Sequence, residues 1–206
     1  MKYDDDDEYI NTRAPYSKNE IDALFNLVEN YKKFCIDGKV LATLMKLAYF
    51  CALKKGELIG LNIKDIRDGS GKIVGEVEIE GKKFKFDSNT KGVLVEHLKH
   101  LKDNAYKKTL NSPVFPSKNR KRYCERKLNR HLERIWFNNI KDLKSRIHLR
   151  EVRQAGICHF YESLKPKGLR PLQCVEETKK FAHCEELNLK NILTGRTSIT
   201  VHSTLY

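Results

Sequence analysis

The chain has 206 residues, 40% hydrophobic and 9% aromatic, so it can bury a core and is not disordered throughout. Its 40 Lys and Arg residues outnumber 27 Asp and Glu residues, for a net charge of +13, and because residues 1–9 carry −4 the rest carries +17. A domain this basic is typical of proteins that bind a polyanion, most often nucleic acid; the alternative is a soluble domain with a charged surface.

Residues 1–16 are acidic and then polar, and we expect them to form a flexible arm. A secretory signal would instead begin basic and continue apolar. No apolar run approaches the roughly 18 residues of a membrane span, so no membrane contact is predicted. The sequence lacks both GxxxxGK[ST] and GxGxxG, which leaves no support for a nucleotide cofactor.

The first predicted elements are helical. A capping-box sequence, Ser17-Lys18-Asn19-Glu20, precedes apolar residues at helical spacing and predicts a helix to about residue 30. The segment 38–53 is apolar on nearly all sides, which indicates a central, buried helix. Residues 54–61 predict a turn and a short helix.

The pattern changes at residue 62. Apolar and polar residues alternate up to residue 86, with turn residues at 68–71 and 80–81. This pattern predicts a small antiparallel sheet of about three strands within residues 61–87. The expected fold class is therefore mainly α with a small antiparallel β-sheet.

A helix is expected over about 90–101, followed by a break at 111–113 and a short extended piece at 114–117. The segment 118–134 then combines an apolar stripe with a cationic face, which predicts a helix that tracks phosphates and releases counterions. The alternative is a solvated helix face. The candidate DNA-binding residues are Lys118, Arg120, Lys121, Arg122, Arg126, Lys127, Arg130 and Arg134.

The last third of the chain also predicts helices. One is expected over 149–164, then a loop with Pro and Gly at 165–171, and a further helix over 172–193. The tail 198–206 could form a final short helix or strand.

Six cysteines are spread along the chain without a CxxC pair, which indicates reduced thiols in a cytosolic protein. Cys158-His159 and His183-Cys184 could supply zinc ligands. Their spacing matches no standard zinc site, so buried thiols are favoured and no metal is predicted.

In this order the landmarks resemble the catalytic domain of tyrosine recombinases, the phage-integrase family, over residues 17–206. Residues 52–58 (Ala-Leu-Lys-Lys-Gly-Glu-Leu) resemble its Gly-Leu-Arg-x-x-Glu-Leu box, and residues 114–117 its Val-Phe-Pro-Ser element. Residues 147–151 (Ile-His-Leu-Arg-Glu) resemble its His-x-Leu-Arg-His box. Residues 193–206 resemble its Leu-Gly-His ending with a tyrosine.

The resemblance implies that a tyrosine attacks a DNA phosphodiester and forms a 3′-phosphotyrosyl ester. Cationic side chains would stabilise the phosphoryl charge without a metal or other cofactor, and a hairpin lysine would act as general acid. Tyr161 is the alternative to Tyr206 as nucleophile. The implied catalytic residues are Lys54, Glu57, Lys82 or Lys83, Arg150, Arg196 and Tyr206.

Several positions depart from the family pattern. Lys54 replaces an arginine and loses its bidentate fork. Ile147 stands where the family usually has His or Lys, and Glu151 stands where a second His is common. Arg196 replaces the histidine of the last box. Tyr206 comes one position later than usual. The gap from Arg150 to Tyr206 is longer than in the family, which predicts an insertion over 162–190.

Three hypotheses follow. The first is a site-specific recombinase or integrase that cuts and rejoins double-stranded DNA, self-associates on it, and has no separate N-terminal core-binding domain. The second is a DNA-binding protein that keeps the fold with weakened or lost catalysis. The third is an unrelated basic nucleic-acid-binding protein. The expected location is the cytoplasm, with the protein bound to the nucleoid or encoded by a mobile element.

Overall fold

The computed structural model describes residues 16–34, 36–106, 109–139 and 146–194. The predicted acidic arm, apart from its last residue, and the tail with Arg196 and Tyr206 lie outside these ranges. The described helices are α1 (Lys18–Glu29), α2 (Gly38–Cys51), α3 (Lys55–Gly60), α4 (Ile63–Ile66), α5 (Ser88–Asp103), α6 (Glu125–Asn138), α7 (Leu149–Leu164), α8 (Pro171–Ala182) and α9 (Glu186–Thr194). The strands are β1 (Glu76–Ile79) and β2 (Lys82–Lys85). The predicted class, mainly α with a small antiparallel sheet, is confirmed.

Helix α2 forms the centre of the core, as its apolar sequence predicts. It packs against α1, α5 and α7, and most of its side chains are buried. The predicted capping box starts α1: the Ser17 hydroxyl accepts the N–H of Glu20, and the Glu20 carboxylate accepts the N–H of Ser17. The backbone donors at this helix end are thereby satisfied.

A glycine lets α2 and α7 approach closely. A Cβ atom at Gly156 would lie 2.1 Å from the carbonyl oxygen of Tyr49, so a side chain there would force the helices apart. One turn later, His159 Nδ1 lies 2.6 Å from Tyr49 Oη. One turn earlier, Arg153 bonds to Ala52. The helices therefore run antiparallel, and the start of α7 lies beside the end of α2.

The sheet has two strands rather than about three. β1 and β2 pair antiparallel, from Glu76 opposite Lys85 to Ile79 opposite Lys82. Residues 67 and 73 form only an isolated bridge. The segment between them turns instead, because the Asp68 carboxylate accepts the backbone N–H groups of Ser70 and Lys72. Its backbone groups bond locally and do not extend a ladder.

Residues 118–124 are not helical, which corrects the predicted helix over 118–134. Ser117 donates its hydroxyl and its backbone N–H to the carbonyl of Lys121. Arg120 has a positive φ of 61°, and residues 116 and 122 form a bridge. These local bonds close a tight turn, and α6 begins only at Glu125.

The predicted helix over 149–164 agrees with α7, whereas the region 172–193 forms two helices and not one. His183 adopts a left-handed conformation with φ 46° and ends α8. A 3-10 turn over 165–167 precedes α8. None of the helices in the described ranges combines the length and apolarity that a membrane span requires.

Candidate functional site

The turn between α2 and α3 carries the first two candidate residues. Ala52 ends α2 with a left-handed φ of 52°, which redirects the chain. Lys54 then caps α3, and the buried Glu57 carboxylate accepts its backbone N–H over 2.6 Å. Glu57 thus fixes the backbone that carries Lys54, with its negative charge at the favourable N-terminal end of a helix.

The hairpin supplies the two candidate lysines. Lys82 is half-buried at the start of β2, whereas Lys83 is exposed and lies 3.4 Å from Glu76. Phe84 follows them and faces the core with 2% of its surface exposed. The hairpin therefore presents its lysines from a rigid edge of the core.

His183 lies against this hairpin. Its ring centroid is 4.3 Å from that of Phe84, and the ring donates a hydrogen bond to the backbone carbonyl of Lys83. Burial lowers the pKa of His183 below its ordinary value; Lys82 and Arg153 also lower it, whereas the Lys83 carbonyl and Glu57 raise it. The imidazole is therefore mainly neutral at neutral pH, and the charges of one carboxylate and two cations act on it.

Arg153 joins three elements at this point. Its Nε donates to the Ala52 carbonyl over 2.6 Å, and its Nη2 donates to the Ala182 carbonyl over 2.8 Å. Both acceptors belong to helix ends, where carbonyls lack a partner within the helix. Arg153 thereby holds Lys54, two residues after Ala52, near His183, which follows Ala182.

Cys184 follows His183 and is subject to charges from the same elements. Burial raises the pKa of its thiol, and the charges of Arg153, Lys54 and Lys179 act against that rise. We refer below to Lys54, Glu57, Lys82, Arg153 and His183 as the central cluster. It combines three permanent cations with one carboxylate and one neutral imidazole, which suits an anionic ligand such as a phosphate.

The other implied catalytic residues lie apart or outside the described ranges. Arg150 is exposed on α7, about 4.5 Å along the helix axis before Arg153. Ile147 is only 3% exposed, so its side chain belongs to the core. Tyr161 lies about 12 Å along α7 beyond Arg153, under the ammonium of Lys165. Arg196 and Tyr206 lie outside the described residues.

Sequence reasoning missed Arg153 and His183. Val152, Ala155 and Ile157 are buried around Arg153, a pattern that marks it as facing the core side of α7. The pair Ala182-His183 is also as similar to the Gly-His of the family's last box as Gly195-Arg196 is. The spacing of buried residues in α7 could have indicated Arg153. An alignment of the last box with Ala182-His183 could have indicated His183.

The predicted basic segment divides into two parts. Lys118, Arg120 and Lys121 are exposed in the turn before α6. Arg122 instead donates to the Ile59 carbonyl and, over 2.6 Å, to Asn62 Oδ1. It therefore ties the turn to the connection between α3 and α4.

Helix α6 presents an arginine row, which consists of Arg126, Arg130 and Arg134. The three side chains are exposed and spaced four residues apart, so they lie on one face over about 12 Å. Lys127 beside them lies 5.9 Å from the Tyr123 ring. A salt bridge of 2.9 Å between Lys55 and Glu125 joins the start of α6 to α3. The row therefore begins next to the helix that Lys54 caps.

Neither histidine–cysteine pair forms part of a metal centre in the described residues. No group of three or more His, Cys, Asp or Glu side chains there is arranged to hold a metal ion. Cys158 is buried and donates to the Ile192 carbonyl of α9, over 3.7 Å. His183 is held by the hairpin as described above.

No protein-family model and no curated protein sequence matches this chain. Solved structures do. The crystal structure of XerA recombinase matches with a TM-score of 0.62 and 13% identity, over 88% of this chain and 60% of that one. The Tn1549 transposon integrase in complex with circular intermediate DNA matches with a TM-score of 0.62 and 14% identity, over 96% of this chain and 64% of that one. XerH site-specific recombinase bound to difH substrate matches with a TM-score of 0.60 and 14% identity, over 88% of this chain and 50% of that one.

These similarities establish the fold. The chain has the architecture of the tyrosine recombinase catalytic domain, as the resemblance in its sequence predicted. It spans 50 to 64% of the length of the three solved chains. At 13 to 14% identity the similarity extends to the fold and not to the activity.

Proposed function

We propose that the protein binds double-stranded DNA and cleaves and rejoins it through a 3′-phosphotyrosyl intermediate. The observation that supports this most is the central cluster. The α2–α3 turn, the hairpin, α7 and the end of α8 come from distant parts of the sequence. Arg153 nevertheless bonds to the ends of α2 and α8, and the charges of Glu57, Lys82 and Arg153 all act on His183. Arg153 and Glu57 have structural bonds, whereas Lys54 and Lys82 add positive charge beside them that would suit a phosphate.

The cluster would hold a phosphodiester through complementary charge. Lys54 and Lys82 would neutralise the non-bridging oxygens, and His183 would donate to one of them once protonated. Arg153 would act as a positioning residue, because its guanidinium bonds to the Ala52 and Ala182 carbonyls. Exposed Arg150 would reach the same strand from the start of α7.

The chemistry would use Tyr206. Its hydroxyl oxygen would attack phosphorus and lose its proton to water, while the bond from phosphorus to the 5′ oxygen breaks. Lys82 or Lys83 would protonate the leaving 5′ oxygen. Rejoining reverses these steps, with a 5′ hydroxyl attacking the phosphotyrosine. Arg196 would support the charge on the phosphoryl oxygens.

The titles of similar structures agree with DNA as a partner. XerH is bound to its difH substrate, and the Tn1549 integrase is in complex with transposon-derived DNA. By analogy, the present protein would self-associate on paired DNA sites in the cytoplasm, either at the nucleoid or as the product of a mobile element. The arginine row and Lys118, Arg120 and Lys121 would contact the backbone of the duplex.

A second candidate is a DNA-binding protein that does not cut. It is favoured by two positions that depart from the family pattern. Ile147 is buried, and Lys54 offers a single ammonium where an arginine would bind two phosphate oxygens. The shared fold argues against the third alternative, an unrelated basic protein.

Covalent trapping separates these candidates. Fragments of the source genome are nicked at random and incubated with the protein. Where a nick lies beside a cleavage site, the short strand with the 5′ hydroxyl diffuses away and rejoining is prevented. Covalent protein–DNA adducts that resist SDS are then recovered. We expect an adduct with the native chain and with Tyr161→Phe, and none with Tyr206→Phe. Tight duplex binding without any adduct would support the second candidate instead.

A further inference from the structure

The chain segregates its charge. Asp4, Asp5, Asp6, Asp7 and Glu8 form five consecutive carboxylates, whereas residues 10–206 carry +17. On α6, Arg126, Arg130 and Arg134 present a row of guanidinium groups to solvent. A block of like charge in an otherwise opposite chain is typical of an interaction segment.

The start of the described chain is anchored next to this helix. Tyr16 is buried, and its hydroxyl donates to the Arg146 carbonyl over 3.5 Å. The Arg146 guanidinium lies 5.4 Å from the Trp136 ring and 3.8 Å from the Glu133 carboxylate, and both residues belong to α6. Tyr16, eight residues after Glu8, is therefore linked through Arg146 to the helix that carries the arginine row.

The chain from Glu8 to Tyr16 can span more than the length of the row. Eight residue steps separate Glu8 from Tyr16, and each spans at most about 3.5 Å, so the reach is about 28 Å. The row itself is about 12 Å long. A tether of this length holds the segment at an effective concentration on the order of millimolar.

We propose that the segment Asp4–Glu8 binds the arginine row in cis and competes with DNA for it. The competition rests on the proposed DNA-binding function, whereas the contact itself does not. An extended acidic segment carries one charge per about 3.5 Å, whereas duplex DNA carries one per about 1.7 Å of its axis, so DNA that also engages the central cluster displaces the segment. DNA that contacts only the arginine row does not displace the segment. The segment thus suppresses binding to unspecific DNA.

The contact can be tested without DNA. A zero-length carbodiimide reagent joins carboxylates to nearby lysines, and Lys127 lies on α6 among the arginines, with Lys121 in the preceding turn. We expect cross-links from residues 4–8 to Lys127 or Lys121 at low salt, lost at high salt and in the variant Arg126→Gln, Arg130→Gln, Arg134→Gln. Cross-links mainly to Lys64, Lys99 or Lys180, or none in the folded chain, overturn the proposal.

The competition is tested with a random-sequence 30-bp duplex. The variant Asp4→Asn, Asp5→Asn, Asp6→Asn, Asp7→Asn, Glu8→Gln should bind about tenfold more tightly at 50 mM KCl, with the gain vanishing near 300 mM. A control removes five exposed acids from the folded surface, and it should gain much less: Asp22→Asn, Glu78→Gln, Glu80→Gln, Glu96→Gln and Asp103→Asn.

Equal gains in the two variants would mean that only total charge matters and would overturn the competition. If neither variant nor the native chain binds DNA while the cross-links form, the contact is upheld and the proposed DNA-binding function fails. The two failures are thus distinguishable.

Discussion

Arg153 Nε donates to the backbone carbonyl of Ala52 over 2.6 Å, which ties the second turn of α7 to the end of α2. The same guanidinium holds the Ala182 carbonyl at the end of α8. One side chain thus sets the relative positions of Lys54 and His183, which no local sequence signal connects. The site depends on this arginine for its geometry.

We therefore expect Arg153→Met to destabilise the fold by about 2–3 kcal/mol, because the carbonyls of two buried residues, Ala52 and Ala182, lose a charged donor. Arg153→Lys should recover part of that loss by keeping one bond. Arg150→Met, on the exposed face of the same helix, is the control and should change stability by less than about 0.5 kcal/mol. Urea denaturation followed by circular dichroism measures all three. Equal losses at positions 150 and 153 would contradict the assigned role.

Gly156→Ala tests the close crossing of α2 and α7. The new methyl would lie 2.1 Å from the Tyr49 carbonyl oxygen, so the helices must separate, at a cost of about 2 kcal/mol or more. The control is Gly92→Ala in α5, where no atom lies within 4 Å of the added Cβ. That change should stabilise the protein by about 0.5–1 kcal/mol through helix propensity. The midpoint of thermal denaturation should therefore fall in Gly156→Ala and rise in Gly92→Ala.

Buried histidines should make the fold sensitive to acid. Burial lowers the pKa of His97 to about 4 and is also the main cause that lowers the pKa of His131 to about 4. Between pH 6.5 and 4 the unfolded chain binds protons that the folded chain excludes, so the free energy of unfolding falls as the pH falls through this window.

The variant His97→Gln should flatten this dependence between pH 6.5 and 4, whatever its stability at pH 7. His148→Gln, at an exposed position before α7, is the control and should keep the native slope. Urea titrations at several pH values give the measurement. An unchanged slope in His97→Gln would show that this ring does not exclude the proton.

His183 should make DNA binding depend on pH. Its pKa is lowered in the free protein, and a bound phosphate favours the protonated ring, so affinity should rise as the pH falls toward and below 6.5. His183→Gln should lose this rise. Lys54→Gln is the control: it should weaken binding at every pH and keep the rise. Fluorescence anisotropy with a labelled duplex measures both, and a native pH profile in His183→Gln would rule out the contact.

Helices with strong local signals could be predicted from the sequence. The capping box at Ser17 starts α1, and the continuous apolar surface of residues 38–53 gives central α2. Leu149 to Leu164 agrees with α7 at both ends. In each case the pattern of apolar residues within one segment determines which face is buried.

The central cluster could be predicted only in part. Lys54, Glu57 and Lys82 were found through their place in a family-like order, whereas Arg153 and His183 depend on contacts across 101 and 29 residues and on a left-handed helix end. The turn at 118–124 was missed for a related reason. Its basic residues are compatible with a helix, but the hydrogen bond from Ser117 to the Lys121 carbonyl forms a tight turn instead.

The salt dependence of DNA affinity tests the central cluster most directly. Each cation that neutralises a phosphate adds about 0.9 to the slope of log K against log salt. We expect Lys54→Gln and Lys82→Gln each to lower the slope by about that amount, while Lys99→Gln, an exposed change on α5, leaves it unchanged. Native slopes in both Lys54→Gln and Lys82→Gln, with duplex binding intact, would contradict the account.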